Sequence, residues 1–260
     1  MHEKVILVSV DGMRPDGIAA SGDSYLLQLA AQGSSCLDAS TIMPSVTLPC
    51  HSSLFFSVDA QRHGITTNTW TPMVRPIPSL ADVVAQAGGV TGMFYNWEQL
   101  RDLSAPGTMD MSYYERLRGF DQDPLASDRS VTDHCIAFLA EKQPDFVFLY
   151  LGVTDEAGHK CGWMSQPYLD AIANASACIR RVQEAAGDGY HLIITADHGG
   201  HDRIHGTDCP EDMTIPIIFY GARFEAGKKL QGVSIKDIAP TVAELMQLRR
   251  PADWEGVSVL

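Results

Sequence analysis

The sequence predicts an α/β protein with a mostly parallel central sheet and helices on both faces. Short apolar, β-branched runs alternate with segments of helical periodicity along the chain, which is the pattern of a covered parallel sheet. The first run, residues 4–10, is apolar at consecutive positions, as in a strand buried on both faces. The 260 residues contain no linker-like tract, charge block or repeat, so we expect one domain over residues 1–260.

The first half of the chain is predicted from apolar spacing and from proline and glycine positions. After strand 4–10 we expect a helix over residues 22–33 that stops at Gly33, and a helix that begins near Thr47 with Pro49 in its first turn. A hydroxyl at a helix start lies beside unsatisfied N–H groups, where a phosphate binds well. A helix over residues 80–87 and a strand over residues 90–95 follow.

The second half shows clearer periodicity. Residues 97–127 are mixed polar and aromatic, and we expect a small lid or an insertion at the sheet edge. Beyond them the pattern predicts helices at 128–141, 166–186 and 236–248 and strands at 145–151, 191–196 and 214–220.

An aspartate follows each of three predicted parallel strands. Asp11, Asp155 and Asp197 come after strands 4–10, 145–151 and 191–196, and the carboxyl ends of parallel strands share one sheet edge, so the three should converge. Histidines accompany them: His159 is four residues from Asp155, which puts both on one face of a helix, and His198, His201 and His205 follow Asp197.

Carboxylates and imidazoles in this number are typical of a metal centre. Three carboxylates, three histidines and the Thr47 hydroxyl suit two divalent ions, with imidazole nitrogen favouring Zn²⁺ and the carboxylates leaving Mn²⁺ open. The positive charge of two divalent ions exceeds the negative charge of three carboxylates, so the site has a net positive charge. Such a site attracts a small phosphorylated substrate.

The composition excludes some classes of binding partner and predicts the cellular compartment of the protein. The formal net charge of −13 argues against stable nucleic-acid binding, which needs a basic face. Six cysteines lack the spacing of a zinc knuckle or a disulfide framework, and no apolar stretch is long enough to cross a membrane. We therefore expect a cytoplasmic protein without membrane attachment; the oligomeric state leaves no mark in the sequence.

Five blocks of the chain occur in the order known from one enzyme family. They are Val-Ser-Val-Asp-Gly at 8–12, Pro-Ser-Val-Thr-Leu-Pro-Cys-His at 44–51, His-Gly-Ile-Thr-Thr-Asn at 63–68, Asp-Glu-Ala-Gly-His at 155–159, and Ala-Asp-His-Gly-Gly at 196–200 with His-Gly downstream. The sequence thereby resembles the type I phosphodiesterase/nucleotide pyrophosphatase family of the alkaline phosphatase superfamily. The resemblance implies an alkaline phosphatase-like fold, here with minimal insertions.

The resemblance also implies a role for each matching residue. One metal would be held by Asp11, Asp197 and His198, and the other by Asp155, His159 and His205. Thr47 would contact the first metal and act as nucleophile, while Asn68 and the Thr47 backbone N–H would hold a phosphate oxygen. His201 has no role that the resemblance assigns.

These roles predict a metal-dependent hydrolase of phosphodiester or pyrophosphate bonds that forms a phospho-threonine intermediate. Leu48 follows the nucleophile where nucleotide pyrophosphatases carry a base-stacking aromatic residue, which weakens a nucleotide interpretation. A phosphomonoesterase or phosphonate hydrolase is the alternative, and an arginine such as Arg62, Arg101 or Arg203 at the phosphate would support it. A phosphomutase is less favoured, because residues 97–127 are few for a cap domain.

Overall fold

The computed structural model describes residues 3–117 and 123–260. Within these residues, seven strands form one sheet. They are β1 (Lys4–Val10), β2 (Ser34–Ser40), β3 (Thr91–Tyr95), β4 (Met111–Tyr114), β5 (Phe146–Leu151), β6 (Tyr190–Thr195) and β7 (Thr214–Tyr220). The strand order is β2-β7-β6-β1-β5-β3-β4, and β7 is antiparallel to β2 and β6 while the other pairs are parallel. The predicted mostly parallel sheet is confirmed.

Helices cover both faces of this sheet, as predicted. The described α-helices are α1 (Pro15–Ala20), α2 (Tyr25–Gln32), α3 (Thr47–Phe56), α4 (Ala60–His63), α5 (Leu80–Gln86), α6 (Ala126–Lys142), α7 (Val153–Cys161), α8 (Gln166–Ala186), α9 (Pro210–Met213) and α10 (Ile238–Leu245). One layer joins α1, α2, α6 and α7 to α8, and the other joins α4, α5 and α10 to α3. Both layers contact β1, through α8 and α10. No helix in the described ranges has the length and apolarity that a membrane crossing requires.

The three central strands explain why the sequence shows apolar runs rather than alternation. All six residues of β5 are buried, and β1 is buried from Val5 to Val10. A strand covered on both faces must be apolar at odd and even positions alike. The register aligns the strand ends, because Val10 pairs with Leu151 and Ser9 pairs with Thr195.

The spacing of apolar residues did not predict the polar strands at the sheet edges or the short helical turns. Strand β2 contains three serines and an aspartate, and it pairs antiparallel with β7 at the sheet edge. The predicted helix at 236–248 begins as a 3-10 turn, Ile235–Asp237, capped by Ser234. Part of segment 97–127 forms a 3-10 helix, Glu98–Leu103, and the edge strand β4, while residues 118–122 of that segment lie outside the described residues.

Candidate metal centre

Three aspartates meet at the carboxyl ends of the central strands β6, β1 and β5. Asp11 directly follows β1, Asp197 follows β6 after one alanine, and Asp155 lies in the first turn of α7 after β5. The Gly12 backbone N–H donates to Asp197 Oδ1 at 3.1 Å, which ties the loop after β1 to the loop after β6. The structure thus brings together three residues that the sequence separates by up to 186 positions.

The first ligand cluster consists of Asp11, Asp197 and His198, all buried. His198 Nε2 lies 3.3 Å from Asp11 Oδ1 and 3.4 Å from Asp197 Oδ2. Thr47 Oγ1 lies 3.3 Å from the same His198 nitrogen. The hydroxyl therefore borders the cluster that the resemblance assigned to the first metal.

The second cluster consists of Asp155, His205 and again His198, so His198 belongs to both clusters, and His159 lies beside Asp155 outside that group. His205 Nε2 is 3.7 Å from Asp155 Oδ1, and His159 Nε2 is 3.5 Å from Asp155 Oδ2. The His198 and His205 rings stack at 3.8 Å between centroids, so the two clusters adjoin. Asp155 and His159 do share a face of a helix, α7, although the His159 side chain is 43% exposed.

Buried carboxylate oxygens without partners show where a cation fits. Asp11 Oδ1, Asp155 Oδ1 and Asp197 Oδ2 are buried and accept no hydrogen bond. The second oxygen of Asp11 accepts from the Tyr150 hydroxyl and that of Asp197 accepts from the Gly12 N–H. An uncompensated buried carboxylate is costly, whereas a metal ion compensates it. The donor set at this edge therefore fits divalent metal ions.

Burial also shifts the proton affinity of these groups. Desolvation raises the pKa of Asp11 and of Asp155 well above the usual carboxyl range, and it raises the pKa of Asp197 to about 7. In the protein without metal, negative charge is thus disfavoured at this edge. Bound cations would reverse that preference.

The three histidines present the nitrogen that a metal needs. His198 Nδ1 donates to the Gly199 carbonyl at 2.7 Å, His205 Nδ1 to the Ser45 carbonyl at 2.8 Å, and His159 Nδ1 to the Arg203 carbonyl at 2.9 Å. A carbonyl only accepts, so each Nδ1 carries the proton and each Nε2 lone pair faces the aspartates. Burial lowers the pKa of His205 to about 3, which keeps that ring neutral.

Thr47 is the first residue of α3, and the preceding Val46 has extended backbone. The N–H groups at this helix start have no partner within the helix, and the Thr47 side chain lies at the site, with Oγ1 3.3 Å from His198 Nε2. Asn68 Oδ1 accepts from the Leu48 N–H at 3.0 Å, which places the Asn68 amide beside Thr47 and turns its Nδ2 away from that bond. The structure thus brings Asn68 to the nucleophile candidate, as expected.

Two of the three candidate arginines are engaged elsewhere. Arg62 pairs with Asp253 at 2.9 Å and Arg101 pairs with Glu98 at 2.7 Å. Arg203 lies in the loop before His205, and its side chain is exposed.

Sequence reasoning gave no role to two buried residues at the site. His51, one turn after Thr47, donates from Nδ1 to the Thr47 carbonyl at 2.8 Å, and its Nε2 lies 2.9 Å from Ser9 Oγ. Tyr150 holds Asp11 from within β5. A tyrosine in a strand buried on both faces needs a polar partner for its hydroxyl, and that was the available signal.

A third group consists of His201, Cys209 and Asp212, and its hydrogen bonds lie at the two ends of the loop that contains His205. Its carboxylate differs from the other three, because both oxygens of Asp212 accept hydrogen bonds. The orphaned oxygens that mark the two metal clusters have no counterpart here.

Comparison with known proteins gives the family. The family model described as the metalloenzyme superfamily matches residues 85–250, which include Asp155, His159, Asp197, His198 and His205. The chain belongs to the metalloenzyme superfamily. The model for type I phosphodiesterase/nucleotide pyrophosphatase matches residues 5–83 of this metalloenzyme, the segment that contains Asp11, Thr47 and Asn68. The resemblance seen in the sequence is confirmed.

Three similar proteins illustrate the range of activities on this fold. The 2,3-bisphosphoglycerate-independent phosphoglycerate mutase of Clostridioides difficile (strain 630) is 28% identical over 148 residues, a match that covers 54% of the metalloenzyme and 29% of the mutase. Murine ectonucleotide pyrophosphatase/phosphodiesterase 5 has a TM-score of 0.77 at 15% identity, covering 97% of this chain and 98% of that chain. The phosphonate monoester hydrolase of Silicibacter pomeroyi has a TM-score of 0.77 at 16% identity, covering 99% and 76%. The two solved structures confirm an alkaline phosphatase-like fold.

Proposed function

We propose that this metalloenzyme hydrolyses phosphodiester or pyrophosphate bonds through a phospho-threonine intermediate on Thr47, with two divalent ions. The observation that carries the proposal is the position of Thr47 Oγ1, 3.3 Å from His198 Nε2, the nitrogen that also lies 3.3 Å from Asp11 Oδ1 and 3.4 Å from Asp197 Oδ2. Each of the three aspartates at this edge has one buried oxygen without a hydrogen-bond partner. One ion would be held by Asp11, Asp197 and His198, and the other by Asp155, His159 and His205. The three imidazoles favour Zn²⁺, with Mn²⁺ as the alternative.

When bound, two such ions supply positive charge to the entering and the leaving oxygen of an in-line displacement. Thr47 Oγ1 gives its proton to solvent and attacks phosphorus, so that an Oγ1–P bond forms as the bond from phosphorus to the leaving oxygen breaks, and the leaving oxygen takes up a proton from solvent. A water oxygen then bonds to phosphorus as the Oγ1–P bond breaks; one proton of that water is released and Oγ1 regains a proton, which restores the threonine hydroxyl. Asn68 Nδ2 and the Thr47 N–H would hold a non-bridging oxygen during both displacements.

The substrate class is inferred from the charge of the phosphate group that the site would hold and from the burial of Leu48, the residue after the nucleophile candidate. A diester carries one negative charge on its phosphate, and Asn68 supplies a neutral donor for it, whereas Arg62 and Arg101 are paired away from the site. The murine neighbour has a structure of an inactive variant in complex with AMP, which supports a small phosphorylated substrate here. Leu48 is fully buried, so a base would not stack on it.

A second candidate is hydrolysis of phosphomonoesters or phosphonate monoesters, which is supported by the likeness to the phosphonate monoester hydrolase. A dianionic phosphomonoester would need an additional cation, and the candidate is the exposed Arg203, whose backbone carbonyl accepts from His159 Nδ1. A phosphonate monoester carries one negative charge, as a diester does. A mutase activity, suggested by the relatives' name, is less favoured, because the described part of segment 97–127 adds only a 3-10 helix and an edge strand.

The test compares rates on bis-p-nitrophenyl phosphate, p-nitrophenyl phosphate, p-nitrophenyl phenylphosphonate and a dinucleotide pyrophosphate, with enzyme of measured metal content. Diester or pyrophosphate turnover should dominate and should vanish in Thr47→Ala while both ions stay bound. Thr47→Ser, which keeps the hydroxyl, should retain activity. Undiminished turnover in Thr47→Ala would remove the threonine as nucleophile, and dominant monoester turnover that falls in Arg203→Ala would establish the second candidate.

The compartment prediction receives support from the cysteines. All six are free thiols in the described structure, and four are buried. A chain that keeps its thiols unpaired suits a reducing environment, so we retain the proposal of a cytoplasmic protein.

A further inference from the structure

The cluster of His201, Cys209 and Asp212 connects the loop that carries His205 to the body of the sheet. We propose that Asp212 is a positioning residue: it clasps both ends of loop 201–207 and so fixes the ligand His205. This inference rests on the proposed function in one respect only, the role of His205 as a metal ligand.

One fully buried carboxylate joins the two ends of the loop. Asp212 Oδ1 accepts from His201 Nδ1 at 2.8 Å, at the start of the loop. Asp212 Oδ2 accepts from the Thr207 N–H at 2.9 Å and from the Thr207 hydroxyl at 2.8 Å, at its end. All three of these hydrogen bonds therefore restrain the loop that contains His205.

The anchor itself is fixed to the sheet. Asp212 lies in α9, which leads directly into β7. The Gly199 N–H donates to the Asp212 carbonyl and the Gly200 N–H donates to the Glu211 carbonyl, both at 2.8 Å. A Cβ on Gly199 would lie 2.0 Å from the Glu211 oxygen, so the glycine permits this close approach.

The loop needs such an anchor because its tip is poorly buried. Asp202, Arg203 and Ile204 are exposed, and His201 and Ile204 bond to each other across the tip. The bonds that reach the tip from α7 and the residues after it go to main-chain carbonyls: the Trp163 N–H donates to Asp202 at 2.8 Å and His159 Nδ1 donates to Arg203 at 2.9 Å. Ordering a loop costs conformational entropy, and a loop that is already ordered binds its ion without that cost. Partners that orient a metal ligand typically contribute about 10- to 100-fold to metal affinity.

The same contacts argue against a third metal site. Cys209 Sγ lies 3.5 Å from His201 Nδ1, the nitrogen that already donates to Asp212. Both Asp212 oxygens are engaged, unlike the orphaned oxygens of the other three aspartates. A hydrogen-bonded clasp accounts for all of these atoms.

The test compares Asp212→Asn with Glu211→Gln, which removes the same charge from the neighbouring, exposed position. Zn²⁺ per chain and stepwise affinity are measured by competition with a chelator, and amide hydrogen exchange of residues 202–206 is measured on metal-free protein. Asp212→Asn should bind the second ion about 10- to 100-fold more weakly and exchange faster in the loop, while Glu211→Gln matches the wild type. Exchange in β1 and β6 should stay slow in both variants, which reports an intact fold.

A second pair of variants tests the same hydrogen bond with substitutions that perturb folding less. His201→Gln keeps a donor for Asp212 and should bind the second ion more tightly than His201→Ala. Equal second-ion affinity and loop exchange in Asp212→Asn and Glu211→Gln would overturn the clasp, as would a third ion that only Asp212→Asn loses. If wild-type protein bound no ions, the proposed function would fail, while loop exchange would still decide the clasp.

Discussion

Replacing Tyr150 by phenylalanine should weaken binding of the first metal ion. The Tyr150 hydroxyl donates to Asp11 Oδ2 inside the sheet, and this bond leaves Oδ1 to face His198. Phenylalanine keeps the ring, which packs edge-on against His51 at 5.3 Å, so the change removes one donor from one buried carboxylate.

The size of the effect follows from the charge and burial of Asp11. A hydrogen bond to a charged group contributes about 1.5–3 kcal/mol. At about 1.4 kcal/mol per tenfold change, affinity should fall roughly 10- to 150-fold. The hydroxyl also lowers the pKa of Asp11 against the larger, opposite effect of burial, so its loss favours the protonated form that cannot bind metal.

The assay is competition for Zn²⁺ between the protein and a fluorescent chelator at neutral pH. Tyr190→Phe is the matched control, because its hydroxyl donates to the Pro144 carbonyl at 2.8 Å, in the loop before β5 and so away from the carboxyl edge. Wild-type affinity is expected for this control. Wild-type affinity in Tyr150→Phe as well would refute the argument that the hydroxyl orients Asp11.

Three further outcomes are expected. Burial raises the pKa of Asp197 to about 7, so the folded, metal-free protein holds this proton more tightly than the unfolded chain does. The free energy of unfolding should therefore fall as the pH rises from about 4 through about 7. Melting temperatures that rise over this pH range would contradict the prediction, and saturating Zn²⁺ should reverse the trend. Asn68→Asp keeps the acceptor at the start of α3 but replaces the phosphate donor by a charge, so kcat/KM for the diester should drop at least about 100-fold with an unchanged melting temperature; unaltered kinetics would exclude the role. Gly200→Ala would put a Cβ 2.2 Å from the Trp163 ring and should cost about 1–3 kcal/mol in urea unfolding, whereas Gly189→Ala, in open space, should cost less; equal midpoints would oppose this packing argument.

The order of strands and helices could be predicted from the sequence because its signals are local. A strand such as β5 is apolar throughout since both of its faces are covered, and α8 was predicted with the bounds that the structure shows. The polar strand β2 lacks that signal: its place is set by pairing with β7, far along the chain. Edge pairing leaves little trace in the spacing of residues.

The convergence of Asp11, Asp155 and Asp197 was likewise determined by the sequence, because each follows a strand and parallel strands end at one edge. Only the tertiary structure decided which oxygen of each carboxylate is left unpartnered and which groups hold the other. Tyr150 reaches Asp11 across 139 positions of the chain, and Asp212 closes the His205 loop through side chains. Spacing along the sequence specifies where a ligand emerges from the sheet, but its orientation depends on hydrogen bonds that form when distant segments pack together.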